Sequence, residues 1–296
     1  MDFLTKLVTG QRAMRAWLWA SLICNMGIIV TGAVVRLTGS GLGCPTWPKC
    51  TDESYVPHPE LGLHGVIEFG NRTLTFVLMI AALGAFIAVW RTVGRGKLWA
   101  LTLGIGLGIP FQGVIGGFTV WSQLNPFVVA LHLLLSVALV VLCVWALFLG
   151  YDARPTPVAR LPRLAAQVTF ALTMLSIWIG TVVTGSGPHA GDADAPRTGF
   201  EIEFVARLHS LSAWAAVAGT VACLVLFRAY RGTLARRSTW WLLAAMLLQG
   251  LIGYIQYFAG LPLGVVILHM IGLPIVAAAA AAVLFSSTRS ASEGIS

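Results

Sequence analysis

The chain has 296 residues, of which 57% are hydrophobic and only 10% are charged, and its mean hydropathy is +0.84. This composition excludes an ordinary soluble domain and is typical of a protein that crosses a membrane several times. The formal net charge of +8 suggests a nucleic-acid partner at first sight, but the positions of the basic residues give it another meaning.

Eight stretches of the chain are apolar enough and long enough to cross a lipid bilayer. Each approaches or exceeds the ~20 residues that a helix needs to cross a hydrocarbon core about 30 Å thick. Helices are expected because every backbone amide in a bilayer must be satisfied within its own segment. We expect the first stretch to be a retained helix rather than a signal peptide. In chain order the stretches cover roughly residues 16–37, 62–90, 98–120, 127–149, 164–184, 203–227, 239–259 and 263–286.

Lysine and arginine are concentrated in alternate connections between these stretches. The other connections carry most of the acidic residues. This asymmetry follows the positive-inside rule and predicts a multi-pass membrane protein with both termini in the cytoplasm. It explains the net charge without a nucleic-acid partner. Of the 19 basic residues, the fourteen that follow this pattern are Lys6, Arg12, Arg15, Arg91, Arg95, Lys97, Arg154, Arg160, Arg163, Arg228, Arg231, Arg236, Arg237 and Arg289.

The chain contains an internal repeat. The segment QGVIGGFTVWSQLNPFVVALH runs from Gln112 to His132, and QGLIGYIQYFAGLPLGVVILH runs from Gln249 to His269. The first and fifth stretches also end alike, in VTGAVVRLTGSGLG and IGTVVTGSGPHAG. The repeat predicts an all-α integral membrane protein whose eight transmembrane helices form two tandem four-helix bundles, residues 1–152 and 153–296. Sites are expected within or between such repeats.

Four histidines lie near the start of even-numbered stretches: His64, His132, His209 and His269. They share one depth, and a histidine in a bilayer is costly and normally faces the interior of a helix bundle. His209 and His269 belong to the second and fourth helices of one bundle, where two imidazoles can face each other across a flat cofactor. This arrangement is typical of b-type haem. Zinc would need a further ligand, which the sequence does not offer.

The first half should contain a similar pair. His132 corresponds to His269, but the residue that corresponds to His209 is Asn71. Arg207, two residues before His209, either neutralises a haem propionate or lies at the membrane interface as an ordinary flanking charge.

Two cysteines, Cys44 and Cys50, lie in the first outer connection. Because the outer side of a cell membrane is oxidising, we expect them to form a disulfide.

The segment TGAVVRLTGSGLGCPTWPKC, residues 31–50, strongly resembles the first outer loop of the haem A synthase family. The segments IEFGNR at 67–72 and LQGLIG at 248–253, and the Leu-His pairs at 131–132 and 268–269, resemble the same family. The resemblance extends over nearly the whole chain.

This resemblance implies an oxidoreductase of the bacterial cell membrane that oxidises the C8 methyl of haem O, its substrate, to a formyl group, giving haem A for terminal oxidases. It implies a haem b held by His209 and His269 in the second half. It also implies two partners besides the lipid bilayer: haem O synthase (protohaem farnesyltransferase) and an unidentified electron donor. A redox role for Cys44 and Cys50, and a homo-oligomer, stay open.

The resemblance places the substrate haem in the first half, where the family motif is Glu-x-x-His-Arg with a later histidine. Glu68, Arg72 and His132 match this motif, whereas Asn71 replaces its histidine. Three alternatives follow: iron held by His132 alone, a weak contact from Asn71, or ligation by His64. His64 shares a helix face with Asn71 but lies about 10 Å away along the axis.

Glu68 also has two interpretations. The resemblance implies a catalytic carboxylate beside the substrate, which could accept a proton or stabilise positive charge. The alternative is an ion pair with Arg72, one helical turn away. If Glu68 had no chemical role, the same histidines would suit a di-haem b-type electron carrier without oxygenase activity. A transporter is less consistent with the sequence, because the polar residues lie near the outer surface rather than at mid-membrane.

Overall fold

The computed structural model describes residues 7–289, and nearly all of its regular structure is helical. Within this range eight helices are long and apolar enough to cross a membrane, as predicted. Three of them, α1, α5 and α7, begin four or five residues before the apolar stretches, because their first turns carry basic residues that can reach polar surroundings. Lys6, counted above, lies outside the described residues. The helices are α1 Gln11–Leu37, α2 Gly62–Val93, α3 Lys97–Trp121, α4 Pro126–Gly150, α5 Arg160–Ser186, α6 Ile202–Leu226, α7 Leu234–Phe258 and α8 Leu263–Phe285.

The start of α4 shows how local sequence sets a helix boundary. Pro126 occupies the first helical position, where its missing N–H costs nothing. The N–H of Phe127 donates to the side-chain oxygen of Asn125 at 3.0 Å, which caps the helix. Short 3₁₀ turns, Pro59–Leu61 and Phe227–Ala229, precede α2 and follow α6.

The described chain divides into two compact units, and the first contains residues up to Tyr151 together with Thr181–Ile202. In this unit α1 packs against α2 and α4, and α3 packs against the same two helices, so the four helices form a closed ring. Leu78, Ala82 and Ile109 form a small buried cluster inside it.

The segment 181–202 is attached to the first unit by the last turn of α1. The Arg36 side chain donates from Nε to the carbonyl of His189 and from Nη2 to that of Thr184, each at 2.6 Å. The N–H of Gly41 donates to the carbonyl of Gly191 at 2.8 Å. A planar guanidinium suits this double contact, which explains why the segment groups with α1.

The second unit contains residues 152–180 and the described chain after Ile202. Helices α5, α6, α7 and α8 all contribute to one buried apolar cluster. Its members are Val158, Ala166, Ala216, Cys223, Phe227, Ala235, Leu242, Met246, Val276, Ala280 and Val283.

Two short strands in the second unit were not predicted. β1, Thr156–Val158, pairs in parallel with β2, Ser287–Arg289. The Arg163 side chain strengthens the pair by donating to the carbonyl of Ser287 at 2.7 Å. Three-residue strands leave no readable alternation in a sequence, so pattern alone could not reveal them.

Candidate functional site

In the second unit the structure brings together the two histidines expected to face each other. The ring centroids of His209, on α6, and His269, on α8, lie 6.4 Å apart, with their planes at 77°. Two imidazoles bound on opposite sides of one metal atom have centroids roughly 6 Å apart, because each metal–nitrogen bond is about 2 Å long. The spacing of the pair therefore fits two imidazoles that would hold one iron between them.

The His209 ring is oriented by the backbone of α5. Its Nδ1 lies 3.0 Å from the carbonyl oxygen of Ser176. A carbonyl only accepts hydrogen bonds, so Nδ1 carries the proton and Nε2 keeps its lone pair for a metal.

The His269 ring leaves a nitrogen without a partner. Its Nδ1 is buried and lies near the backbone of Gln249, although no group within residues 7–289 meets full hydrogen-bond geometry with it or with the Oε1 of Gln249. The Gln249 side chain donates from Nε2 to the His269 carbonyl at 2.7 Å. The backbone of α7 thus faces Nδ1 of His269, as the backbone of α5 faces Nδ1 of His209, and Nε2 is the nitrogen left for a bound group.

The first unit contains the same arrangement around His132. Gln112 donates from Nε2 to the His132 carbonyl at 3.1 Å and to the Ser136 hydroxyl at 2.8 Å. The Gln112 Oε1 and the His132 Nδ1 are again buried, and neither has a hydrogen-bond partner within residues 7–289. The two Gln–His segments noticed in the sequence therefore make equivalent contacts in three dimensions.

Each of the three imidazoles lies against a glycine of the preceding helix. A methyl group built on Gly116 would lie 3.4 Å from Cε1 of His132, and one on Gly180 would lie 3.0 Å from Cε1 of His209. A methyl group on Gly253 would lie 3.2 Å from Cε1 of His269. We call each such glycine and the facing position on the next helix an imidazole seat. The absence of a side chain at the glycine is what makes room for the ring.

A fourth seat lies between α1 and α2, and there the histidine is replaced by Asn71. Gly32 is the glycine of this seat, since Gly-Ala-Val-Val at 32–35 corresponds to Gly-Thr-Val-Val at 180–183 once Arg36 and Leu37 are treated as an insertion before the shared Thr-Gly-Ser-Gly. The neighbouring Thr31 hydroxyl lies 2.7 Å from the Asn71 Oδ1 and 3.3 Å from the Ile28 carbonyl. A methyl group built on Gly32 meets no atom of residues 7–289 within 4 Å, apart from its own chain neighbours and the adjoining backbone of α1. The seat is therefore roomier than the three that hold a ring.

Glu68 lies in the same unit as His132, and each of its two carboxylate oxygens has a hydrogen-bond partner. The residue is only 5% exposed. Its Oε1 forms an ion pair with Arg72, whose Nε donates at 3.0 Å. Its Oε2 accepts the backbone N–H of Cys44 at 2.6 Å.

Arg72 and the outer loop explain how this carboxylate is held. Arg72 also donates to the carbonyls of Cys44 and Thr46 at 3.0 Å and of Lys49 at 3.2 Å. Cys44 and Cys50 form the predicted disulfide, and both are buried. The loop that they close thus packs directly onto the Glu68–Arg72 pair, so the predicted ion pair is present and extends into a larger network.

The remaining predicted residues lie nearer the surface. The His64 side chain is exposed, and its Nδ1 lies 3.0 Å from the hydroxyl oxygen of Ser40. The Arg207 side chain is 78% exposed and pairs with Glu203 at 3.5 Å.

Sequence reasoning missed several residues of this site. The spacing of Gln112 and Gln249 from their histidines was visible as a repeat, but its meaning as a contact was not. No sequence signal indicated that Thr31 would hold Asn71, or that the Cys44 N–H would reach Glu68. Both contacts join residues that are far apart in the chain.

These features define a helical membrane protein with eight candidate spans and half-buried imidazoles suited to an iron prosthetic group. The chain belongs to the COX15-CtaA family of cytochrome oxidase assembly proteins, whose sequence pattern matches residues 15–63 and 60–281. Membership confirms the resemblance drawn from the outer loop and the helix motifs.

Individual relatives agree with this assignment. The chain is 30% identical over 215 residues to the haem A synthase of Methylorubrum extorquens strain PA1, covering 60% of this chain and 55% of that protein. It therefore spans about half the length of that relative. It is 28% identical over 321 residues to the haem A synthase of Rhodopseudomonas palustris strain HaA2, and this match covers 87% of this chain and 86% of that protein. A protohaem IX farnesyltransferase of Halobacterium salinarum strain NRC-1 is 34% identical over 128 residues, 43% of this chain and 28% of that protein.

Proposed function

We propose that this protein is a haem A synthase that oxidises the C8 methyl of haem O to a formyl group. The observation that carries the proposal is the buried Glu68 carboxylate, fixed by Arg72 and the Cys44 N–H in the unit that contains His132. The relatives named haem A synthase, one of them aligned over 86% of its length, support the same activity.

His209 and His269 are our candidates for the axial ligands of a resident haem b. Their separation of 6.4 Å and the Ser176 contact that leaves Nε2 of His209 available support this role. When bound, haem b supplies one-electron transfer. Arg207 is the candidate for holding a propionate, although its partner within the described chain is Glu203.

His132 is our candidate for the ligand of the substrate iron. Its buried Nδ1 without a partner and its Gly116 contact match those of His269. Asn71 offers no imidazole, so we propose that His132 alone ligates this iron. Ligation by His64, also on α2, stays a prediction; that side chain is exposed and lies beside Ser40.

Glu68 has the properties of a group that receives protons and stabilises positive charge. Converting a methyl to a formyl group formally consumes one water and releases four protons and four electrons, so the substrate needs a proton acceptor beside it. A carboxylate oxygen has two acceptor sites, and Oε2 uses one of them for the Cys44 N–H. Arg72 and the loop hold this carboxylate in place without a rearrangement during the reaction.

The arrangement of the whole chain is part of the proposal. We infer two tandem four-helix bundles, residues 1–152 for the substrate haem and 153–296 for haem b, with both termini in the cytoplasm. The equivalent contacts of Gln112 with His132 and of Gln249 with His269 support the repeat. The alternate placement of basic residues supports the orientation.

Haem O synthase is the partner we propose for substrate supply within the bacterial cell membrane. The protohaem IX farnesyltransferase of Halobacterium salinarum contains a segment similar to this chain, so the two kinds of sequence occur there in one protein, and this supports the proposed partnership. The four electrons that this half-reaction releases need an acceptor, and dioxygen would be one. Its reduction to water would also need the unidentified electron donor, which would pass electrons one at a time through haem b.

Replacing Gly180 or Gly253 with alanine is expected to weaken haem b binding. The added methyl group would lie 3.0 or 3.2 Å from Cε1 of the neighbouring histidine, so the ring would have to move. Displacing a metal ligand through a neighbouring residue costs about 10–100-fold in affinity. Haem b per protein, measured from the visible spectrum during purification, checks this prediction. Gly250→Ala is the control, since a methyl group there meets nothing within 4 Å. Equal losses of haem b in all three variants would contradict the claim that Gly180 and Gly253 make room for the histidine rings.

The proposed activity is tested by chromatography of haem extracted from cells that make this protein together with a haem O synthase. Haem A, or a hydroxylated precursor, is expected. Haem b and haem O alone, in cells that contain the folded protein and a functioning respiratory chain, would contradict the activity and favour a di-haem electron carrier.

A further inference from the structure

We propose that the seat formed by Thr31, Gly32 and Asn71, called here the Asn71 seat, binds a neutral nitrogen heterocycle of imidazole size on the iron of the substrate haem. The inference rests on the proposed function, because it requires a haem ligated by His132. It assigns a ligand class to a position where this chain lacks a histidine of its own.

The first argument is space. In the three seats that hold a histidine, the ring comes within 3.0–3.4 Å of a methyl group built on the glycine. At Gly32 the same methyl group meets nothing within 4 Å in the described chain apart from its own chain neighbours and the adjoining backbone of α1, so the shorter Asn71 side chain does not reach it. The Asn71 seat therefore keeps the glycine that makes room for a ring without supplying the ring.

The second argument is hydrogen bonding. In the His209 seat, the ring N–H donates to the Ser176 carbonyl. The residue that corresponds to Ser176 is Ile28, and its carbonyl lies 3.3 Å from the Thr31 hydroxyl. Thr31 itself corresponds to Ile179, so the polar hydroxyl is specific to the Asn71 seat.

The Thr31 hydroxyl and the Asn71 amide give the seat acceptors for a bound heterocycle. The contact of 2.7 Å between Thr31 Oγ1 and Asn71 Oδ1 fixes the orientation of the amide. An amide oxygen has two acceptor sites, and Thr31 occupies only one. An imidazole that coordinates iron through one nitrogen can then donate its N–H to Asn71 or Thr31, as a histidine ligand donates to its outer partner.

The test is an imidazole titration of the purified full-length protein loaded with haem O. The number of haems per chain is measured first, and the spin state of each is followed by visible and electron paramagnetic resonance spectroscopy. One haem, ligated by two histidines, is expected to be low-spin throughout. The second is expected to be high-spin and to convert to low-spin with saturable imidazole binding.

Two sets of variants locate the binding position. Asn71→His restores the histidine of the seat, and together with Thr31→Ile it rebuilds the pair found at Ile179 and His209. Both variants are expected to make the second haem low-spin before imidazole is added. Gly32→Leu is expected to weaken imidazole binding by at least about tenfold, because its side chain would occupy the volume of the ring. Gly27→Leu, on the same helix and also open within 4 Å, is the control and should leave the titration unchanged.

The outcomes separate this inference from the proposed function. If the wild type bound two haems and its spectrum did not respond to imidazole, the proposal that the Asn71 seat binds a heterocycle would be wrong. The proposed enzyme activity would be unaffected by that result. An equal response in wild type and Asn71→His would also overturn the proposal for the Asn71 seat. Failure to bind a second haem would instead contradict the substrate site, and with it the inference.

Discussion

Replacing Glu68 with glutamine is expected to lower haem A formation by about 10²–10⁴-fold, the usual range for losing a general acid–base group. Glutamine keeps the shape of the side chain and an oxygen that can accept from Cys44 or Arg72. The variant therefore removes the charge and the proton-accepting ability of Glu68 while retaining most of the packing. Haem b and bound haem O are expected to stay at wild-type amounts.

The control for this substitution is Glu203→Gln. Glu203 also pairs with an arginine four residues later, but its side chain is 60% exposed and that of Arg207 is 78% exposed. Exposed pairs contribute only about 0–1 kcal/mol, so this change should be nearly silent.

A second measurement separates chemistry from folding. Because Glu68 and Arg72 hold the outer loop, the state of the Cys44–Cys50 disulfide should be measured in Glu68→Gln by thiol labelling. An intact disulfide, bound haem O and no haem A would support a chemical role. Haem A formed at the wild-type rate would show that Glu68 only maintains the loop.

Replacing either His209 or His269 with alanine is expected to remove haem b from the purified protein. Changes to outer-shell partners of metal ligands already cost about 10–100-fold in affinity, so loss of a ligand itself should cost at least as much. The remaining histidine would not compensate, since it would supply only one of the two nitrogen ligands. The measurement is haem b per protein, quantified after extraction.

His58→Ala is the control for these two variants, because His58 lies in the connection between α1 and α2, away from both histidines in the sequence. Normal haem b in His58→Ala and its loss in His209→Ala and His269→Ala are expected. Retention of haem b in both of the latter variants would contradict the bis-histidine assignment.

Much of the fold follows from composition alone. A bilayer forces apolar stretches of about 20 residues into helices, so the eight spans were predictable. The Cys44–Cys50 disulfide was predictable because the two cysteines are close in sequence and lie outside the membrane. The facing of His209 and His269 followed from their equal depth on helices of one bundle.

The details of the site were harder to predict because they depend on contacts between distant parts of the chain. Arg36 attaches the segment 181–202 through backbone carbonyls, which carry no sequence signature. Thr31 meets Asn71 only because α1 packs on α2 in one register. The substitution of Asn71 for a histidine was visible in the sequence, whereas the open space at Gly32 was not.

The most direct test compares haem extracted from cells making haem O synthase with wild-type protein, His132→Ala or His269→Ala. We expect His132→Ala to retain haem b and to form no haem A, because its substrate iron has lost its ligand while the second unit is intact. We expect His269→Ala to lose haem b. Wild-type amounts of haem A in His132→Ala would contradict the central claim that the first unit holds the substrate.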